Sequence, residues 1–228
     1  MKKQSLLFLS LVLLTFAVPG LSEIPPSELP MYGNRPRSAD QKKIDDEFIG
    51  KLVKMAGTKQ EAFKSVMKLG FQSLQQRDLK TAMQRFNIGW LLMPEGADVY
   101  WAFGSALIGQ EKLDQAIPMF SKAIAINPSH ASALFDLAHA YQQKAQEAKA
   151  GEENYVRYLD QSDELFERAV RLSPQEEQYY SLWAKTLYLR GRYGDAWKKI
   201  GEARKLGGKT IKADFLTELS KAMPDPSQ

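Results

Sequence analysis

The chain has 228 residues, 44% of them apolar and 25% charged, the ordinary balance of a soluble globular protein of one or two domains with room for a sizeable core. It contains no cysteine, which excludes disulfides, zinc-thiolate centres and cysteine nucleophiles together. The formal net charge of +4 is too small, for 31 basic against 27 acidic residues, to support a uniform nucleic-acid or membrane-surface role.

Residues 1–22 read as a secretory signal peptide of bacterial appearance. Lys2 and Lys3 precede an apolar run from Leu6 to Val18, Pro19-Gly20 breaks it, and Gly20 and Ser22 supply small residues for cleavage before Glu23. The run is short of the roughly 20 residues needed to cross a bilayer, so cleavage is expected and not anchoring, with a periplasmic or secreted product. Cleavage removes two lysines and leaves 29 basic against 27 acidic residues, a net of +2.

Residues 23–37 carry Pro25, Pro26, Pro30 and Pro36, which forbid a helix and predict an extended, flexible tether. Ile24, Leu29, Met31 and Tyr32 give that tether apolar spots with which to dock on the rest of the chain, a groove included. Ser38, with Gln41 in the capping-box position, predicts a cap helix over 38–56 whose apolar stripe is Ile44, Phe48, Leu52 and Met55. Gly57 ends it, and Thr58 with Glu61 predicts a second capping box.

Residues 57–209 repeat. Gly104, Ala116, Phe120 and Pro128 are matched 34 residues upstream by Gly70, Ala82, Phe86 and Pro94. Downstream, Ala138, Ser162, Phe166 and Pro174 follow, the last three displaced by 46 residues because 12 are inserted. A fourth unit offers Ala184, Ala196 and Ala203, with Gly208 where the closing proline would stand. The units are 63–96, 97–130, 131–176 with the insertion at 145–156, and 177–209, each two antiparallel helices. The small residues let paired helices approach closely. Leu69, Phe86, Phe103, Phe120, Leu137, Tyr141, Phe166, Trp183 and Ile200 are the expected filling, and Pro118 lies near enough to its helix start to cost a modest kink at most. The insertion, rich in Ala, Gln, Glu and Lys, should lengthen both helices of its unit, with Gly151 at the tip. Residues 210–228 read as a C-terminal cap helix over 210–222, with Ile211, Phe215, Leu216 and Leu219 on one side, followed by a frayed tail.

This 34-residue pattern resembles the tetratricopeptide repeat, over about Phe63 to Gly208. The resemblance implies an all-α, right-handed α-solenoid of about four helix hairpins between N- and C-terminal cap helices, and a non-catalytic scaffold that binds another protein or a peptide segment. In that register the first helices line the concave side. They present Met67, Phe71 and Leu74; Asp98, Trp101, Ser105 and Ile108; Phe135, Asp136, His139 and Gln142; and Ser181, Lys185, Tyr188 and Leu189. Phe71, Trp101, Ser105, Phe135, His139, Lys185 and Tyr188 are the expected partner-binding residues, with Trp101 and Phe135 as aromatic anchors. Co-chaperone members of the family clamp a chain-terminal carboxylate with Lys, Arg and Asn. The matching positions here hold Met67, Phe71, Ala102, Ser132 and Asp136, or Trp101, Ser105, Asp136, Gln178 and Leu182 one repeat later, so no such clamp is expected.

Catalytic and metal constellations are not found. His130 and His139 are nine residues apart, the wrong spacing for a helical metal pair, and Gly207-Gly208-Lys209-Thr210 lacks the spacing of a phosphate loop. No catalytic, metal or cofactor residue is expected, and no nucleic-acid partner. Charge is unevenly placed: Glu147 to Glu177 holds nine acidic and four basic residues, Lys185 to Lys212 nine basic and two acidic. The basic 185–212 flank is the one route by which the protein itself could meet a membrane surface. The expected role is an adaptor or assembly factor of the bacterial envelope; the alternatives are a periplasmic chaperone for an exported polypeptide and, third, an enzyme or lytic accessory protein.

Overall fold

A computed structural model describes residues 24–227 except Lys149 and Gly151, so the signal-peptide reading of 1–22 and the tip at Gly151 lie outside the described residues. Ser38 opens helix α1 (Ala39–Ala56) reciprocally: its hydroxyl accepts from the Gln41 N–H and the Gln41 side chain accepts from the Ser38 N–H. Gly57, at φ +90°, closes it in a conformation that glycine adopts at little cost. The Thr58 hydroxyl accepts from the Glu61 N–H and starts α2 (Lys59–Gln75), but the Glu61 carboxylate turns to Lys64, so only half of the second capping box forms.

The remaining helices are α3 (Leu79–Leu92), α4 (Ala97–Gly109), α5 (Leu113–Ile126), α6 (Ala131–Glu147), α7 (Glu153–Leu172), α8 (Glu177–Leu189), α9 (Tyr193–Lys205) and α10 (Ala213–Ala222). There is no strand among the described residues. The pairs α2/α3, α4/α5, α6/α7 and α8/α9 are hairpins, each packed on the next, which is the architecture of an α-solenoid. Each hairpin alone would leave an apolar face in water, and stacking buries these faces in one continuous core.

The repeated aromatic explains the spacing. Phe86, Phe120 and Phe166 are completely buried, as is Ile200 at the same place in the fourth hairpin. A Cβ on Gly70 would come within 2.7 Å of Phe86 Cδ1, and one on Gly104 within 2.6 Å of Phe120 Cδ1, so the missing side chain makes room for the phenylalanine of the facing helix in these two hairpins. Helix α5 runs through Pro118 without interruption. The insertion lengthens α6 to 17 residues and α7 to 20, against 13 and 14 in the preceding hairpin. The third and fourth hairpins also share a buried polar tie. Gln142 Nε2 donates to the Leu182 carbonyl and to Thr186 Oγ1, and Thr186 Oγ1 is 2.9 Å from Ser162 Oγ.

Four expectations need correction. Residues 24–37 are not an extended tether: they fold into two short 3-10 turns against α3, on the outer side of the first hairpin. Asn87, fully buried, holds them by donating from Nδ2 to the carbonyls of Ser27 (3.0 Å) and Leu29 (2.8 Å) and accepting from the Tyr32 N–H (3.2 Å). In α1, Ile49, Leu52, Val53 and Ala56 face the core, whereas Ile44 and Met55 are 64% and 85% exposed, because α2 and α3 cover the neighbouring side of the helix. Leu69, read as core, is 46% exposed. The tail is not frayed, since Trp197 Nε1 donates to the Met223 carbonyl and Arg204 pairs with Asp225 at 2.9 Å.

Candidate functional site

The first helices α2, α4, α6 and α8 share one face, and a row of side chains crosses it. Phe71 of α2 lies 4.8 Å from Trp101 of α4, centroid to centroid, and Trp101 lies 5.3 Å from the His130 ring at the start of α6. The Trp101 indole N–H donates to Asp136 Oδ2 at 2.6 Å, which fixes the ring against the next hairpin. Burial pushes the Asp136 pKa up to about 6, and the Trp101 hydrogen bond and His130 only partly oppose it. His130 Nδ1 accepts from the Ala133 N–H, so the ring proton sits on Nε2 and is donated to Asp98 at 3.0 Å, holding the Asp98 carboxyl below the usual range.

Two hollows open beside this row. One of about 120 Å³ lies between α4 and α6, with Ser105, Ile108, Asp136, His139 and Gln143 on its walls. The other, about 270 Å³, lies between α6, α8 and α10 and shares His139 and Gln143 with the first. Its far wall is the loop before α10. Thr210 is tied to α8 by donating from its N–H and hydroxyl to Glu177 at 2.6 Å each, and its hydroxyl meets Ser181. Burial first, then the charges of Lys185 and Lys212, push the His139 pKa down, so the ring is neutral. The Gln143 amide donates to its Nε2 at 3.2 Å.

The structure brings Phe71, Trp101, Ser105, His139 and Lys185 onto one face, buries Phe135 and packs Tyr188 against the C-terminal cap. Phe135 is 7% exposed: it stacks on Tyr179 of the fourth hairpin at 4.3 Å and meets Phe166 edge-on, as inter-hairpin core. Tyr188 packs on Phe215 of α10 and on Tyr193, and stays half-buried as Phe71 and Trp101 do. Residues 24–37, on the opposite side, do not occupy the groove. His130 stands beside Trp101 and Lys212 lines the larger hollow; the sequence offers His130 only as half of a histidine pair and Lys212 only as the end of the basic flank, and the chain brings Lys212 here by folding back after Gly207-Gly208. No helix among the described residues is long and apolar enough to cross a membrane, and no group of three or more His, Asp or Glu could hold a metal ion there.

The tetratricopeptide-repeat family profile matches residues 107–153, which span the end of α4, α5 and α6. Solved structures align over more of the chain. A thermophilic tetratricopeptide-repeat protein of Thermus thermophilus is 18% identical, with 71% of this chain and 82% of that one covered at a TM-score of 0.60. MamA is 20% identical, covering 77% and 98% at 0.52, and MamA of Desulfovibrio magneticus RS-1 is 18% identical, covering 75% and 97% at 0.50. No curated protein sequence matches. With the hairpin stack, its glycine-aromatic spacing and these likenesses together, the chain has the α-solenoid fold of tetratricopeptide-repeat proteins, and residues 107–153 match that family's model.

Proposed function

We propose that the protein is a non-catalytic interaction scaffold of the bacterial cell envelope that takes a segment of a partner protein across Phe71, Trp101, Ser105 and His139. The observation that carries this reading is the half-buried Phe71–Trp101 row. Its indole is anchored by Asp136, which also lines the smaller hollow on the face that this fold offers to partners. The side chains are already ordered in place, which lowers the entropic cost of docking an apolar segment. The envelope location is supported by the Lys2-Lys3 start and the apolar run Leu6–Val18.

A photo-crosslinking residue at Ser105, in the full chain expressed in its own cells, tests the scaffold. One partner should be trapped at fixed stoichiometry, and Trp101→Ala should abolish the adduct while the helical circular-dichroism signal persists. An unchanged adduct refutes the site. Suppressed aggregation of several unrelated unfolded proteins, with no single adduct, replaces the scaffold by the chaperone reading. Phe135→Ala is unsuitable for this test because it opens a core cavity.

A further inference from the structure

We propose that the hollow between α6, α8 and α10 receives the side-chain carboxylate of a glutamate or aspartate within the partner's segment, held by the ammonium groups of Lys185 and Lys212 and the amides of Gln143 and Gln146. This rests on the scaffold reading and names the chemistry of its partner.

The basic 185–212 flank supplies the first argument. Most of its cations are already engaged: Arg190 with Asp160 and Asp163, Arg192 with Asp163 and Asp195, Lys198 with Asp195, Arg204 with Asp225 and Lys205 with Glu202. Lys199 lies 3.6 Å over the Trp183 ring, and Lys209 stands beside Glu177. Among the described residues of this flank, the two cations left without a side-chain partner are Lys185 and Lys212, and both line the same hollow. They come from different elements, one on α8 and one capping α10, so folding sets two positive charges together at a cost that an anion would relieve.

The neighbours define which anion. His139 faces both lysines and is neutral, so it adds no third charge. Both Nε2 protons of Gln142 are spent on Leu182 and Thr186, whereas the Gln146 amide is free and Gln143 has one proton to give. On the α10 wall stand Asp214, whose carboxylate accepts from the Phe215 N–H, and Glu218, exposed at the mouth. Neither pairs with Lys185 or Lys212. They place negative charge opposite the lysines, which disfavours a polyanion such as inorganic phosphate more than a singly charged carboxylate. The hollow shares His139 and Gln143 with the one beside Ser105, so an extended segment lying across Trp101 and Ser105 passes these two side chains to reach it and needs no free chain end.

The test uses the full chain and three probes: a short amidated peptide alternating Leu and Glu, the same peptide with Gln for Glu, and inorganic phosphate. Proton NMR follows the His139 ring and the Trp101 indole N–H. The Glu peptide should shift His139 saturably and raise its pKa, because a carboxylate between the lysines offsets their field. Lys185→Gln with Lys212→Gln should weaken this about tenfold with the fold intact, since charge-assisted pairing is lost. Equal responses to the Gln peptide or phosphate, or an unchanged response in the double variant, would each overturn the proposal. A Glu peptide that shifts Trp101 but not His139 refutes the carboxylate site alone; one that shifts neither refutes the aromatic groove as well.

Discussion

Asp136→Asn should make the protein more stable at neutral pH and remove much of its pH dependence. Burial holds the Asp136 carboxyl near pKa 6 against an ordinary 3.8. That difference corresponds to about 3 kcal/mol between the protonated and charged forms. The sign follows from the raised folded value: the unfolded chain ionises first, so stability contributed by the protonated group is full below pH 4 and is lost as pH rises through 6. Asparagine keeps an oxygen to accept the Trp101 indole N–H and carries no charge, so the loss should vanish. His139 acts in the opposite direction, because its pKa is pushed down and its neutral form is favoured in the fold. It is common to both proteins and cancels in the comparison. Urea unfolding at steps from pH 4 to 8 supplies the measurement. The variant should match the wild type near pH 4 and exceed it by about 2–3 kcal/mol at pH 8. Parallel curves across the range would refute the claim that the carboxylate is desolvated.

Other consequences can be checked as directly. Gly104→Ala drives a methyl group into Phe120, and overpacking should outweigh the gain in helix propensity, for a net loss of about 1–2 kcal/mol in thermal or urea unfolding; unchanged stability would mean the hairpin can open freely. Asn87→Ala strands the carbonyls of Ser27 and Leu29 and the Tyr32 N–H, so residues 24–37 should become the first site of limited proteolysis, while resistance equal to wild type would show the turns are held by something else. Phe166→Ala removes a fully buried ring and should cost about 3–5 kcal/mol, read as a lower denaturation midpoint.

The hairpin stack was legible because its signal is a distance along the chain. Gly70 and Gly104 recur with Phe86 and Phe120 for one steric reason, and a period of 34 residues carries that reason without any neighbour in view. The errors came where a distant partner decides. Ile44, Phe48, Leu52 and Met55 form a true helical stripe, but Ile49, Val53 and Ala56 form another, and only the position of α2 and α3 chooses between them. Proline content predicted an extended tether since Asn87, some 60 residues away, is invisible to local composition. Register alone puts Phe71 and Trp101 on one face, where the structure has their rings in contact. Phe135 and Tyr188 sit on the same first helices but are claimed by Tyr179 and Phe215 from elements that follow them, a competition that register does not express.

The tie of Gln142, Thr186 and Ser162 gives the array mechanical character. The joint between the second and third hairpins has one half-buried side-chain hydrogen bond of this kind, from Trp101 to Asp136, where this tie joins three side chains together. Slippage between the third and fourth hairpins would strand hydroxyl and amide groups in a dry interior, at about 1–3 kcal/mol for each one abandoned. The joint therefore resists sliding and holds α6 and α8 in register beneath the hollow that lies between them.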